Sequence, residues 1–158
     1  PLGFDKETAW EQLREWTVEV DHFCAGIGLR IVVEPIHSFE SNLVNSFAEG
    51  VKMAESIQGT ATGVLIDFYH MTREQESLDA LRQYGRRWLE HVHFACPFYP
   101  GEGERVFPQR IDEWPYQAFI ETLRGLSYYG RISIEARTSD FVRHAKTAIQ
   151  VMRQLFAE

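Results

Sequence analysis

Glu34, Asp67, His93 and Glu135 are the residues whose types and placing could do chemistry together. Each closes a short apolar run: Ile31-Val32-Val33 leads to Glu34, Val64-Leu65-Ile66 to Asp67, Val92 to His93, and Ile132-Ser133-Ile134 to Glu135. In a parallel α/β sheet or barrel the C-terminal strand ends converge on one rim, where active sites form. Three carboxylates and an imidazole meeting there would repel and desolvate one another without a cation between them. A single carboxylate at a strand end is ordinarily solvated or caps a helix. Four ionisable groups in succession at the same place in a repeat point instead to a bound divalent metal. The set is hard and oxygen-rich, suiting Mn2+, Mg2+ or Co2+ better than a thiolate-type structural zinc.

Other polar residues surround this pattern. His70, three residues past Asp67, reads as a second ligand, a holder of a substrate hydroxyl, or a cap for the helix at Thr72. His91 alternates with His93, so both point to one side of the pleat, with His91 deeper and in a supporting role. His22, His37 and His144 read as surface residues. Trp10, Trp16, Trp88 and Trp114 read as packing between helices and sheet, with Trp114 alternatively walling the pocket.

The elements that must position these groups follow from periodicity. Ala9, Trp10, Leu13, Trp16, Val20 and Phe23 have the three-and-four spacing of an amphipathic helix, which Gly26 and Gly28 end. A strand over 29–34 stops at Pro35, which cannot donate to a ladder. A helix over 43–57 precedes a strand over 63–67. Thr72 with Gln75 reads as a capping box for a third helix carrying Leu78, Leu81 and Tyr84. A strand over 90–94 is followed by a Pro-, Gly- and charge-rich loop from Cys96 to Asp112. A short helix over 115–126 leads to the fourth strand, 130–135, and Ser139 caps a final helix. Helices alternating with apolar strands, buried on both faces, predict a parallel sheet of four strands with about five helices.

Composition narrows the class. At 158 residues, 44% apolar and 13% aromatic, the chain can bury a core and fold as one domain over residues 1–158. Its net charge of −7 argues against nucleic acid as a partner, because phosphate binding needs a basic face. Cys24 and Cys96 make neither a disulfide framework nor a CxxC motif, and a reducing cytoplasm is the expected compartment. No apolar stretch reaches the ~18 residues a membrane span needs, and no signal-peptide pattern is present. The start, Pro1-Leu2-Gly3-Phe4, enters a helical pattern at once without a Met, so a trimmed or incomplete chain is expected.

Glu34-Pro35-Ile36-His37-Ser38-Phe39-Glu40-Ser41-Asn42 with Asn45, then Asp67-Phe68-Tyr69-His70-Met71, His91-Val92-His93 and Gly130 through Glu135 resemble the xylose-isomerase-like barrels. These form the sugar phosphate isomerase/epimerase superfamily, within which the chain resembles the D-tagatose/D-psicose 3-epimerases. The intervals 67 − 34 = 33 and 93 − 67 = 26 agree with the epimerase pattern. The resemblance covers the whole chain and implies the C-terminal half of a (β/α)8 TIM barrel, strands five to eight. It implies Glu34, Asp67, His93 and Glu135 as metal ligands, with Mn2+ first and Mg2+, Co2+ or Zn2+ as other fits. It also implies Glu34 and Glu135 as an acid/base pair, Glu40 and His70 as substrate-binding residues, and a small sugar or polyol ketone as substrate, isomerised or epimerised through an enediolate.

The sequence departs from this pattern in two places, one of them the stretch from His93 to Glu135, which is several residues longer than in those enzymes. The epimerases carry an Arg six residues after the metal His, on the substrate-covering loop; here that position is Tyr99, and Arg105 and Arg110 are the candidates to replace it. Among related barrels, the AP-endonuclease-like hydrolases need a further Asp-x-His motif that does not follow His93. The hydroxypyruvate isomerases typically lack a histidine at the position of His93. Inosose dehydratase-type lyases remain an alternative. A full barrel takes about 250 residues and eight strands, so four strands leave two open edges. A catalytically incomplete metal-binding scaffold, or a homodimer completing or covering the edges, are the further expectations.

Overall fold

The structure, a computed structural model, describes residues 3–101 and 103–156. Helix α1 (Lys6–Gly26) is capped by Asp5, whose carboxylate accepts the Thr8 N–H, and Gly28 turns away with φ +72°. Then follow β1 (Ile31–Val33), α2 (Phe47–Ile57), β2 (Thr62–Asp67), α3 (Phe68–Arg73), α4 (Asp79–Trp88) and β3 (Leu89–Phe94). The remainder is β4 (Cys96–Tyr99), β5 (Gly103–Val106), α5 (Gln117–Gly125), β6 (Ile132–Ile134) and α6 (Phe141–Leu155). Strands β1, β2, β3 and β6 form one parallel sheet in that order; β4 and β5 pair separately as an antiparallel hairpin.

The outer face of the sheet packs Val64, Ile66, Val92 and Phe94 against Phe47 and Val51 of α2, Leu81 of α4, and Phe119 and Ile120 of α5. Close approach of α2 depends on Gly50, where an added Cβ would stand 2.8 Å from Val64. The opposite face carries His91 and His93, whose rings meet edge-on at 5.2 Å between centroids. Among the described residues no helix is long and apolar enough to cross a membrane.

Several expected boundaries move. The described residues hold six helices, not five, because α3 begins directly at the end of β2, where the Asp67 carboxylate accepts the Tyr69 N–H. Thr72 therefore lies inside α3, its hydroxyl donating to the Phe68 carbonyl, and the expected box with Gln75 does not form. Gln75 is left-handed (φ 53°), and α4 starts later, after Leu78. A capping box forms instead at α2: Ser46 accepts the Glu49 N–H, and the Glu49 carboxylate accepts the Asn45 N–H. That helix starts at Phe47 rather than Leu43 because Asn45 is engaged with the carbonyls of Ile36 and Ser41. Asp140, not Ser139, caps α6 by accepting the Arg143 N–H, a carboxylate being the stronger acceptor.

The loop expected from Cys96 to Asp112 contains the β4–β5 hairpin, turned through Gly101 and Gly103 at positive φ. Burial on both faces holds for β2 alone. Neither β1 nor β6 has an outer neighbour among the described residues, and both stay partly exposed. Trp16, expected inside, is 63% exposed beside the open β1 edge.

Candidate metal centre

Parallel pairing places Asp67 opposite His93 in register, each at the C-terminal end of its strand. Glu34 follows β1 and Glu135 follows β6, so the four residues arrive from the four strands of the sheet. One donor atom from each lies within 4.8 Å of the others. His93 Nδ1 is the hub, 2.5 Å from Glu135 Oε2, 3.2 Å from Glu34 Oε1 and 3.8 Å from Asp67 Oδ2.

Electrostatics differ across the cluster. Burial raises the Asp67 carboxyl to about 6, against the opposing pull of Arg105 and the Tyr69 N–H. Burial also pushes Glu34 upward, but the hydrogen bond and charge of His93, with His70 and Arg105, outweigh it and leave Glu34 below its ordinary value. The Glu34 hydrogen bond raises His93, with burial acting against it. His91 supports from below, its Nε2 3.0 Å from the Ser133 hydroxyl.

A second group adjoins the first. His37, Glu40 and His70 also bring donor atoms within 4.8 Å of one another, and His70 Nε2 lies 4.0 Å from Asp67 Oδ2. The His37 backbone N–H donates to His70 Nδ1 at 3.3 Å. Burial, aided by Arg105, depresses His70 to about 4, so its ring is neutral with the proton on Nε2. His70 is buried inside α3, which Asp67 caps, so it does not cap a helix starting at Thr72. Glu40 is exposed, its carboxylate 3.1 Å from His37 Nε2 at an angle that makes no hydrogen bond.

His37 and His144 are buried, contrary to the surface reading. His144 is held by the Thr138 hydroxyl at 2.7 Å; His37 packs on the rings of Tyr69 and His70. A signal for His37 was present: Glu34-x-x-His37 repeats the spacing of Asp67-x-x-His70. Trp114 packs against the core.

The hairpin settles which arginine reaches the rim. Arg105 Nη2 lies 2.9 Å from Asp67 Oδ2 and 2.8 Å from Glu135 Oε1, with its guanidinium over the Tyr69 ring. Arg110 pairs with Asp112 on the surface instead.

Comparison with known proteins bears on this geometry. The profile of the xylose isomerase-like TIM barrel family matches residues 1–155. The D-psicose 3-epimerase of Ruminiclostridium cellulolyticum is 28% identical over 154 residues, 96% of this chain and 49% of that protein. The 3-dehydro-D-guloside 4-epimerase of Escherichia coli K12 is 26% identical over 138 residues, 86% of this chain and 48% of that one. The crystal structure of D-psicose 3-epimerase with D-tagatose from Clostridium cellulolyticum H10 superposes with a TM-score of 0.78 at 22% identity, covering 97% of this chain and 58% of the other. The chain thus spans about half the length of the relatives it matches, and its fold is that of half such a barrel.

Proposed function

Because the chain belongs to the xylose isomerase-like TIM barrel family, we propose that it carries the metal centre and acid/base pair of a divalent-metal-dependent isomerase or epimerase of a small sugar or polyol ketone. The observation that carries this is the convergence of Glu34, Asp67, His93 and Glu135 within 4.8 Å. The residues fit such an ion. Three carboxylates and one imidazole suit Mn2+ first, with Mg2+, Co2+ or Zn2+ as alternatives. Asp67, whose side chain is fully buried, is a carboxylate that calls for a positive partner, a place a cation would share with Arg105.

Glu34, Asp67, His93 and Glu135 would hold the ion, which supplies Lewis-acid stabilisation of the negative charge that develops on the substrate's oxygens. Glu34 and Glu135 come from the two outer strands and flank His93. One of them takes the proton from the carbon beside the carbonyl, leaving an enediolate; the other returns a proton from the opposite face, which inverts that carbon. Return to the neighbouring carbon gives isomerisation. His70, neutral and carrying its proton on Nε2, donates to a substrate oxygen, and Glu40 accepts from a hydroxyl at the exposed mouth. Free Cys24 and Cys96 fit a reducing cytoplasm.

The test is proton exchange. With Mn2+ added, the protein incubated in D2O with ketohexoses and inososes is expected to place deuterium beside the carbonyl. Glu135→Gln should keep the fold and reduce that incorporation at least about 100-fold. Undiminished exchange in the variant would remove Glu135 from the reaction.

A second reading is that these residues, strands five to eight of the barrel, form a scaffold that binds metal but turns over only with the barrel completed. The open β1 and β6 edges favour it. A homodimer is one way to close them. Mn2+ binding without exchange in the isolated chain would select this reading.

A further inference from the structure

Arg105 brings a guanidinium into the same cluster and is anchored there. Its Nη2 spans Asp67 Oδ2, at the end of β2, and Glu135 Oε1, after β6, although β3 lies between those strands. Asp67 Oδ1 already accepts the Tyr69 N–H at 2.7 Å, so Oδ2 is the oxygen left to face the cluster. Glu135 turns its other oxygen to His93. Arg105 Nε donates to the Glu135 carbonyl at 3.3 Å, and the Arg105 carbonyl accepts the Arg137 N–H at 2.7 Å. The arginine backbone is left-handed (φ 54°), a conformation unfavourable for a residue with a side chain and kept only where surroundings impose it. Glu104 fastens the same hairpin to α3 through Arg73 and the Tyr69 hydroxyl.

We propose that Arg105 is an internal counter-ion that competes with the divalent metal for Asp67 and Glu135, so that it sets the metal affinity of the rim. The inference rests on the metal reading above. A guanidinium and a divalent ion drawing on the same two carboxylates repel each other, and the metal must displace charge-assisted hydrogen bonds to gain full use of them. In exchange, Arg105 holds the carboxylates in place and neutralises them when no metal is bound. Loading loosens the hairpin's hold on the rim.

The experiment measures Mn2+ affinity by calorimetry, and melting temperature with and without Mn2+, for the unaltered chain, Arg105→Met, Arg105→Lys and the surface control Arg110→Met. Arg105→Met is expected to tighten Mn2+ binding by about tenfold or more, and to lower the melting temperature of the metal-free protein, so that the Mn2+-induced rise grows. Arg105→Lys, whose point charge cannot fork between two carboxylates, should tighten binding less, and it carries the test if the Met variant does not fold. Arg110→Met should change nothing. Affinity that is equal or weaker in both Arg105 variants overturns the competition. Failure of every protein, the unaltered chain included, to bind Mn2+ overturns the metal reading itself and this inference with it.

Discussion

At the residue scale, single buried carboxylates carry much of the organisation, and Asp21 shows it away from the rim. Its Oδ1 accepts the Ala61 N–H at 2.9 Å and the Thr62 hydroxyl at 2.6 Å, while Oδ2 accepts the Thr60 N–H at 3.2 Å. Burial works against the charge, but these hydrogen bonds win and hold Asp21 below the usual carboxylate range. Gly59 leaves the room: a Cβ there would stand 2.0 Å from Asp21 Oδ2. One side chain on α1 thus fixes the entry into β2, the strand that ends in Asp67. Asp21→Ala strips three donors of their acceptor and is expected to destabilise the fold by about 2–4 kcal/mol, read as a lowered urea midpoint. A shift indistinguishable from zero would mean water replaces the carboxylate.

At the element scale, α2 is held at its N-terminus by a carboxylate from the segment between α3 and α4. Glu76 Oε1 accepts the Phe47 N–H at 2.8 Å, which favours the ionised form, yet burial dominates and, with Glu49 and Glu74 nearby, raises Glu76 to about 7 from an ordinary 4.5. Between those two values the folded protein keeps a proton that the unfolded chain has released, so stability falls as pH rises through that window. Glu76→Gln retains an acceptor for Phe47 and removes the charge. It should be more stable than the unaltered chain at pH 8 by about 1–2 kcal/mol after solvent screening, with the difference vanishing near pH 4.5. Equal urea midpoint shifts at both pH values would show that charge is not the cause.

At the scale of the whole molecule, the sheet formed by the described residues is open at both sides. A groove of about 600 Å³, lined by Leu13, Trp16, Ile31, Val33, Ile36 and Val44, runs beside β1. Val32 is exposed on that strand, and Phe141 and Val142 are exposed on α6. Unpaired strand edges flanked by apolar surface favour association. The chain is therefore expected to self-associate in sedimentation experiments across the micromolar range, and the pair Trp16→Glu and Val32→Lys should shift it toward monomer with an unchanged circular dichroism spectrum. A monomer at every concentration would show that these edges do not drive association.

Much of this was legible in the residue order. A 3.6-residue period located the main helices, because a half-buried helix must repeat its apolar positions at its own pitch, and short continuous apolar runs located the four strands. The strand-end residues Glu34, Asp67, His93 and Glu135 were legible for the same reason: parallel strands carry their ends to one rim whatever lies between. Boundaries set by competition between local acceptors were not. Thr72 and Ser139 looked like caps, but Thr72 lies inside α3, the helix after it starts after Leu78 with no side-chain cap, and the Asp140 carboxylate took the place expected for Ser139. Nor could the order of residues decide how far a side chain reaches across the sheet. His37 and Arg105 sit in segments without regular periodicity, and only the folding of the 34–46 segment against α3, and of the hairpin against the segment after β6, buries one and brings the other to Asp67 and Glu135. Local patterns determine which faces must be covered; contacts between residues tens of positions apart depend on the three-dimensional packing that covers them.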